Sequence, residues 1–146
     1  MKKILLFALL LVFIGLSVHA QCDKASELKA SKTEYLNGKN EVQGSKDEQT
    51  VIQITSTTIA IMPGGNADEA MSGTIKEKSC DWKVPFKEGK MVIKTDLVDP
   101  SGDVKQATIT IEAKDGKVTV LAEAKERPDQ KLKLLADSFE EKEVGK

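Results

Sequence analysis

The chain offers few side chains from which chemistry could be built. Its one histidine, His19, sits inside an apolar leader, so a chain that has shed the leader holds no imidazole. That removes imidazole acid–base catalysis and the Ser–His and Cys–His nucleophile pairs. A typical zinc site needs histidine or several cysteines, and only Cys22 and Cys80 are present. Asp99, Asp103 and Asp115 invite a calcium reading, but the EF-hand spacing is absent and each lies in a turn-forming stretch. Gly64-Gly65 is followed by no Gly-Lys-Thr and opens no helical pattern, so it does not read as a phosphate cradle. Asp68 and Glu69 are the residue types that hydrolyse glycosides, yet nothing in the pattern sets two acids inward on facing strands. The expectation is a protein that is not an enzyme and that needs neither metal nor cofactor.

Beyond the leader only four aromatics remain, Tyr35, Trp82, Phe86 and Phe139, too few for a stacking platform for bases or sugars. Lysine and arginine number 22 against 23 acids; without Lys2 and Lys3 the balance becomes 20 to 23, spread along the chain. No basic stripe awaits a phosphate backbone, so nucleic acid is not an expected partner.

The leader itself reads as an address. Lys2-Lys3 precedes an unbroken apolar run from Ile4 to Ile14, and Val18-His19-Ala20 suits cleavage after Ala20. The run is too short to cross a bilayer comfortably, and no later run approaches the necessary length. The layout is bacterial in style and predicts export to the periplasm or beyond. Lipoprotein anchoring through Cys22 ranks second, because His19-Ala20-Gln21 is a poor match to the residues that precede a lipidated cysteine. In an oxidising compartment two cysteines predict a Cys22–Cys80 disulfide. A loop of that length is assigned roughly 4 kcal/mol by chain entropy, as an upper figure.

The elements that must position anything else are strands. From about residue 49 apolar and polar residues alternate with period two between turn signals. Ile52 with Ile54, Ile59 with Ile61, and Met71 with Gly73 and Ile75 share faces. So do Cys80, Trp82, Val84 and Phe86, and then Met91, Ile93 and Leu97. Ala107, Ile109, Ile111 and Ala113 follow, then Val118, Val120, Ala122 and Ala124, and last Leu132, Leu134 and Ala136. Pro63-Gly64-Gly65-Asn66, Lys87-Glu88-Gly89, residues 99–103, Asp115-Gly116 and Arg127-Pro128-Asp129 separate them. Residues 23–37 fit either a helix or a first strand, with the strand favoured. Short links join antiparallel neighbours.

The expected fold is all-β: an antiparallel meander of about seven or eight strands. Closure into a small up-and-down barrel, lipocalin-like in outline, is the simplest way to remove exposed edges. The Gly-x-Trp signature of lipocalins is absent. A sheet curled over a short helix and a two-layer sandwich are the alternatives. The domain plan is a signal peptide at 1–20, one β domain at 21–139 and a flexible charged tail at 140–146.

Eight strands enclose room for side chains or one small ligand. The numerous inward alanines (Ala107, Ala113, Ala122, Ala124 and Ala136) are what would leave space. Trp82, Phe86, Met91, Ile93, Ile109, Ile111, Val118 and Val120 are the candidate lining. The leading function is non-catalytic binding of a small apolar ligand by an exported module. The alternative is a structural or protein-interaction module in the periplasm or at the cell surface.

Overall fold

Alternation makes the strands, and the short turns leave each strand to pair with its neighbours in sequence. The computed structural model describes residues 22–143. The leader assigned to 1–20 lies outside the described residues. Eight strands follow one another: β1 Ser26–Leu36, β2 Val42–Ile54, β3 Thr58–Pro63, β4 Met71–Val84, β5 Glu88–Val98, β6 Val104–Lys114, β7 Lys117–Ala124 and β8 Lys131–Glu141. Every consecutive pair is antiparallel, and β1 pairs with β8, so the meander closes into a barrel. Closure takes up the ambiguous first segment, which is strand from Ser26 onward. It also draws β8 two residues beyond the expected end of the domain: Glu140 and Glu141 pair with Glu27 and Ser26.

Register slips in β4 and β1 change which residues face inward. In β4 the register slips between Ile75 and Glu77. Met71, Gly73 and Ile75 face in before the slip, and Lys78, Cys80 and Trp82 do so after it. What the sequence divides into two strands is therefore one long one. In β1 slips around Ala30 and Lys32 likewise carry the inward set from Leu28 and Ala30 to Thr33. An extra residue of this kind bends a strand without ending its pairing. At Gly73 the β4 backbone runs against the Asp96 carbonyl so closely that a Cβ would collide with it.

Turn chemistry follows local rules. Asp115 and Gly116 both adopt positive φ, 53° and 75°, as a two-residue hairpin requires. The β1–β2 turn is longer than Asn37-Gly38 suggests. Asn37 Oδ1 accepts from the amides of Lys39 and Glu41 at 2.9 and 3.0 Å, and Asn40 takes the positive φ. The β4–β5 turn forms two residues earlier than expected, with Phe86 at φ 62° and the Lys87 amide donating to the Val84 carbonyl.

Strand β3 is short. It pairs with Thr50–Ile54 of β2 and with Met71–Thr74 of β4. Val42–Gln49 at one end of the barrel, and Lys76–Val84 at the other, thus have no strand on the β3 side. The second gap is covered by the N-terminal segment, which the Cys22–Cys80 disulfide ties to β4. Beneath it Lys78 is nearly buried, with its amine 3.2 Å from the Thr55 carbonyl and 3.8 Å from the Asp23 carboxylate. Burial pushes this amine's pKa down, and Asp23 offsets part of that. Both ends of the described chain meet here, where the Lys142 amide donates to the Ala25 carbonyl.

Candidate functional site

Antiparallel alternation sorts the connections into two sets. The β2–β3, β4–β5 and β6–β7 turns share one end of the barrel with the chain ends. The β1–β2, β3–β4, β5–β6 and β7–β8 turns share the other.

The first end is filled. Trp82, Phe86 and Phe139 form a three-ring cluster with centroids 6.0, 5.9 and 4.7 Å apart, the Phe86–Phe139 pair edge to face. Met91, Ile93 and Ile111 are fully buried, and Val118 packs against them. Ser26 Oγ and Trp82 Nε1 are buried here without a hydrogen-bond partner.

The second end is hollow. A cavity of about 830 Å³ opens there. Leu36, Ile52, Ile61, Met71, Leu97, Ile109, Val120 and Leu134 form its apolar walls. The space exists because β6 and β7 turn small residues inward: Ala107 lies opposite Ala124, and Ala122 opposite Ile109. One layer further down the same two strands pair Ile111 with Val120, and the interior is full. Thr33 and Thr50 place hydroxyls in the wall, and Tyr35 presents its half-exposed ring near the mouth.

The eight candidate lining residues therefore separate. Ile109 and Val120 line the cavity. Ile93 is buried in the core, and Trp82, Phe86, Met91, Ile111 and Val118 belong to the filled end. Of the inward alanines, Ala107, Ala122 and Ala124 face the cavity, while Ala113 and Ala136 do not line it. The wall residues of β1 and β2, Thr33, Leu36, Glu48 and Thr50, had no period-two signal to mark them. The bulge shifts one set, and the outer half of β2 is polar on both faces.

The mouth is acidic. Its four turns (residues 37–41, 64–70, 99–103 and 125–130) carry seven acids, Glu41, Asp68, Glu69, Asp99, Asp103, Glu126 and Asp129, against Lys39, Lys125 and Arg127. At the filled end the turns and chain ends balance, with Asp23, Asp115 and Glu143 against Lys24, Lys87 and Lys142. Within the cavity wall, Glu48, Asp99, Asp103, Glu123 and Asp129 face Lys105, Arg127 and Lys131. Lys131 is held by Glu123 at 2.9 Å, and Glu48 by Lys46 at 3.1 Å. Asp99 accepts from the Ser101 hydroxyl and the amides of Ser101 and Asp103, which hold its pKa below the ordinary value. Asp115, grouped with Asp99 and Asp103 in the calcium reading, lies at the opposite end of the barrel. Among the described residues no cluster of three or more His, Cys, Asp or Glu converges to hold a metal ion.

The Cys22–Cys80 bridge indicates a non-reducing environment. It also engages the Cys22 sulfur, leaving no thiol for a lipid thioether. Among the described residues no helix is long and apolar enough to cross a membrane. Comparison with protein families, with curated proteins and with solved structures finds no match to this chain.

Proposed function

We propose that this protein is an exported, non-catalytic binding module that takes one small, largely apolar ligand into the cavity at the open end of its barrel. One observation carries the reading: a cavity of about 830 Å³, apolar along its walls, entered from one end of an otherwise filled barrel. That volume and lining suit a small-molecule site. The leader and the disulfide support export together. The near absence of imidazole supports binding rather than turnover.

Titration of the oxidised chain with Nile red, a neutral dye that brightens in apolar surroundings, tests the reading. Saturable uptake of one dye per chain is expected. A folded protein that takes up no dye overturns it and favours the alternative of a structural or protein-interaction module. Trp82 is packed into the filled end, so dye emission rather than tryptophan emission is the readout.

A further inference from the structure

We infer that the cavity selects ligands whose apolar body carries a cationic head, an amine or alkylammonium, and discriminates against carboxylate-headed molecules of the same length. This rests on the cavity being a ligand site, and three features of that site point the same way.

The first is charge. Five carboxylates line the cavity against three cations, and two of those cations are already engaged: Lys131 by Glu123 and Lys105, more loosely, by Asp99. Arg127 spends a guanidinium hydrogen bond on Gln130. Asp103 and Asp129 have no ion-pair partner among the described residues. The surrounding turns add to the same sign, and a concave mouth with low-dielectric walls focuses such a field. The second is the polar equipment of the wall. Thr33 and Thr50 are more than nine-tenths buried and line the cavity with their hydroxyl-bearing side chains. Hydroxyl oxygens on adjacent strands can accept from an ammonium. On β2, Glu48 continues the inward face of Thr50 and Ile52, its carboxylate shared with Lys46 at 3.1 Å. The third is Tyr35, an aromatic ring in the lining of the mouth, a residue type to which cations are attracted.

A carboxylate head would meet the same field with the opposite sign. Two net charges at about 8 Å in a watery mouth separate matched cationic and anionic heads by roughly tenfold or more. The field is screened over about 10 Å at moderate salt.

Displacement of bound Nile red by dodecylamine, dodecanol and dodecanoate tests the inference at low ionic strength. Expected is tightest competition by dodecylamine, at least about tenfold over dodecanoate, with dodecanol between. The ratio should fall towards unity in high salt and in the Asp103→Asn/Asp129→Asn double variant. Dodecanoate competing as well as dodecylamine, or a ratio indifferent to salt, overturns the head-group inference while leaving the apolar site intact. Failure of Nile red itself to bind overturns the site and this inference together. The salt series needs no variant, so the outcome does not depend on the double substitution folding.

Discussion

The two ends of the barrel share eight strands and one inside–outside alternation, yet one is packed and the other hollow. At the packed end Ile111 is fully buried, and Trp82, Phe86 and Phe139 close the base. At the hollow end the same strands supply Ala107, Ala122 and Ala124. Alternation decides which side chains enter a barrel, and their volume along the axis decides whether the interior is filled. The gaps left by the short β3 are treated in the same divided way. One is covered by a disulfide-tethered segment with a buried lysine beneath it. The other, beside Val42–Gln49, lies at the cavity end. Stability is concentrated at one end, and adaptable space at the other.

If that division is right, damage to the packed end should cost stability and damage to the hollow end should cost uptake. The sharpest break is Phe139→Ala, which removes the ring common to two contacts of the aromatic cluster. Urea denaturation should show a loss of about 3–4 kcal/mol; a loss under about 1 kcal/mol would mean that the cluster does not plug the barrel. Next, Cys22→Ser with Cys80→Ser should lower stability by about 3 kcal/mol. Nile red affinity should persist at temperatures where the variant remains folded, because the bridge lies at the end away from the cavity. Loss of dye binding by a folded variant would erase the distinction between the ends.

A smaller effect belongs to the β1–β2–β8 seam. Glu27 accepts from Lys142 at 2.9 Å and Gln53 at 3.0 Å, and Lys29 lies 3.4 Å away. Lys142 first, then Gln53, lower its pKa from 4.5 to about 2. A carboxyl depressed by folding stabilises the native state fully above its unfolded pKa, and that stability is lost as pH falls through the folded value. Glu27 should therefore contribute at neutral pH and progressively less from about pH 5 to about pH 2, by about 1 kcal/mol after surface screening. Glu27→Gln should flatten that part of the stability–pH curve; an unchanged curve would remove the seam from the account. The smallest expected change in stability is for Ala122→Leu, below about 1 kcal/mol because the new side chain enters existing space. It should nonetheless weaken dye uptake. A variant that binds Nile red normally would mean the dye sits elsewhere.

The later strands were legible because period-two patterning and short turns mark them. Closure is the favoured answer to exposed edges, with a curled sheet and a sandwich left open because the first segment fits helix or strand. The location of the hollow was not legible. The candidate lining favoured the largest inward residues, Trp82, Phe86, Met91 and Ile111, but large side chains fill a barrel rather than surround a space. The alanines were the better signal: Ala107 and Ala124 face one another at the cavity and Ala122 joins them there, whereas Ala113, opposite Val118, lies at the filled end. The bulge in β4 is hidden in the sequence for a related reason. A one-residue slip reads in sequence as two strands in different phases.

The meeting of Ala25 and Lys142 at the plugged base has a practical corollary for orientation. A tether, tag or fusion partner attached beyond either of these residues would leave from the base and hold the mouth outward. Immobilised by its C-terminal side on a sensor surface, the barrel would stand like a cup fixed by its foot, with its opening presented to whatever flows past.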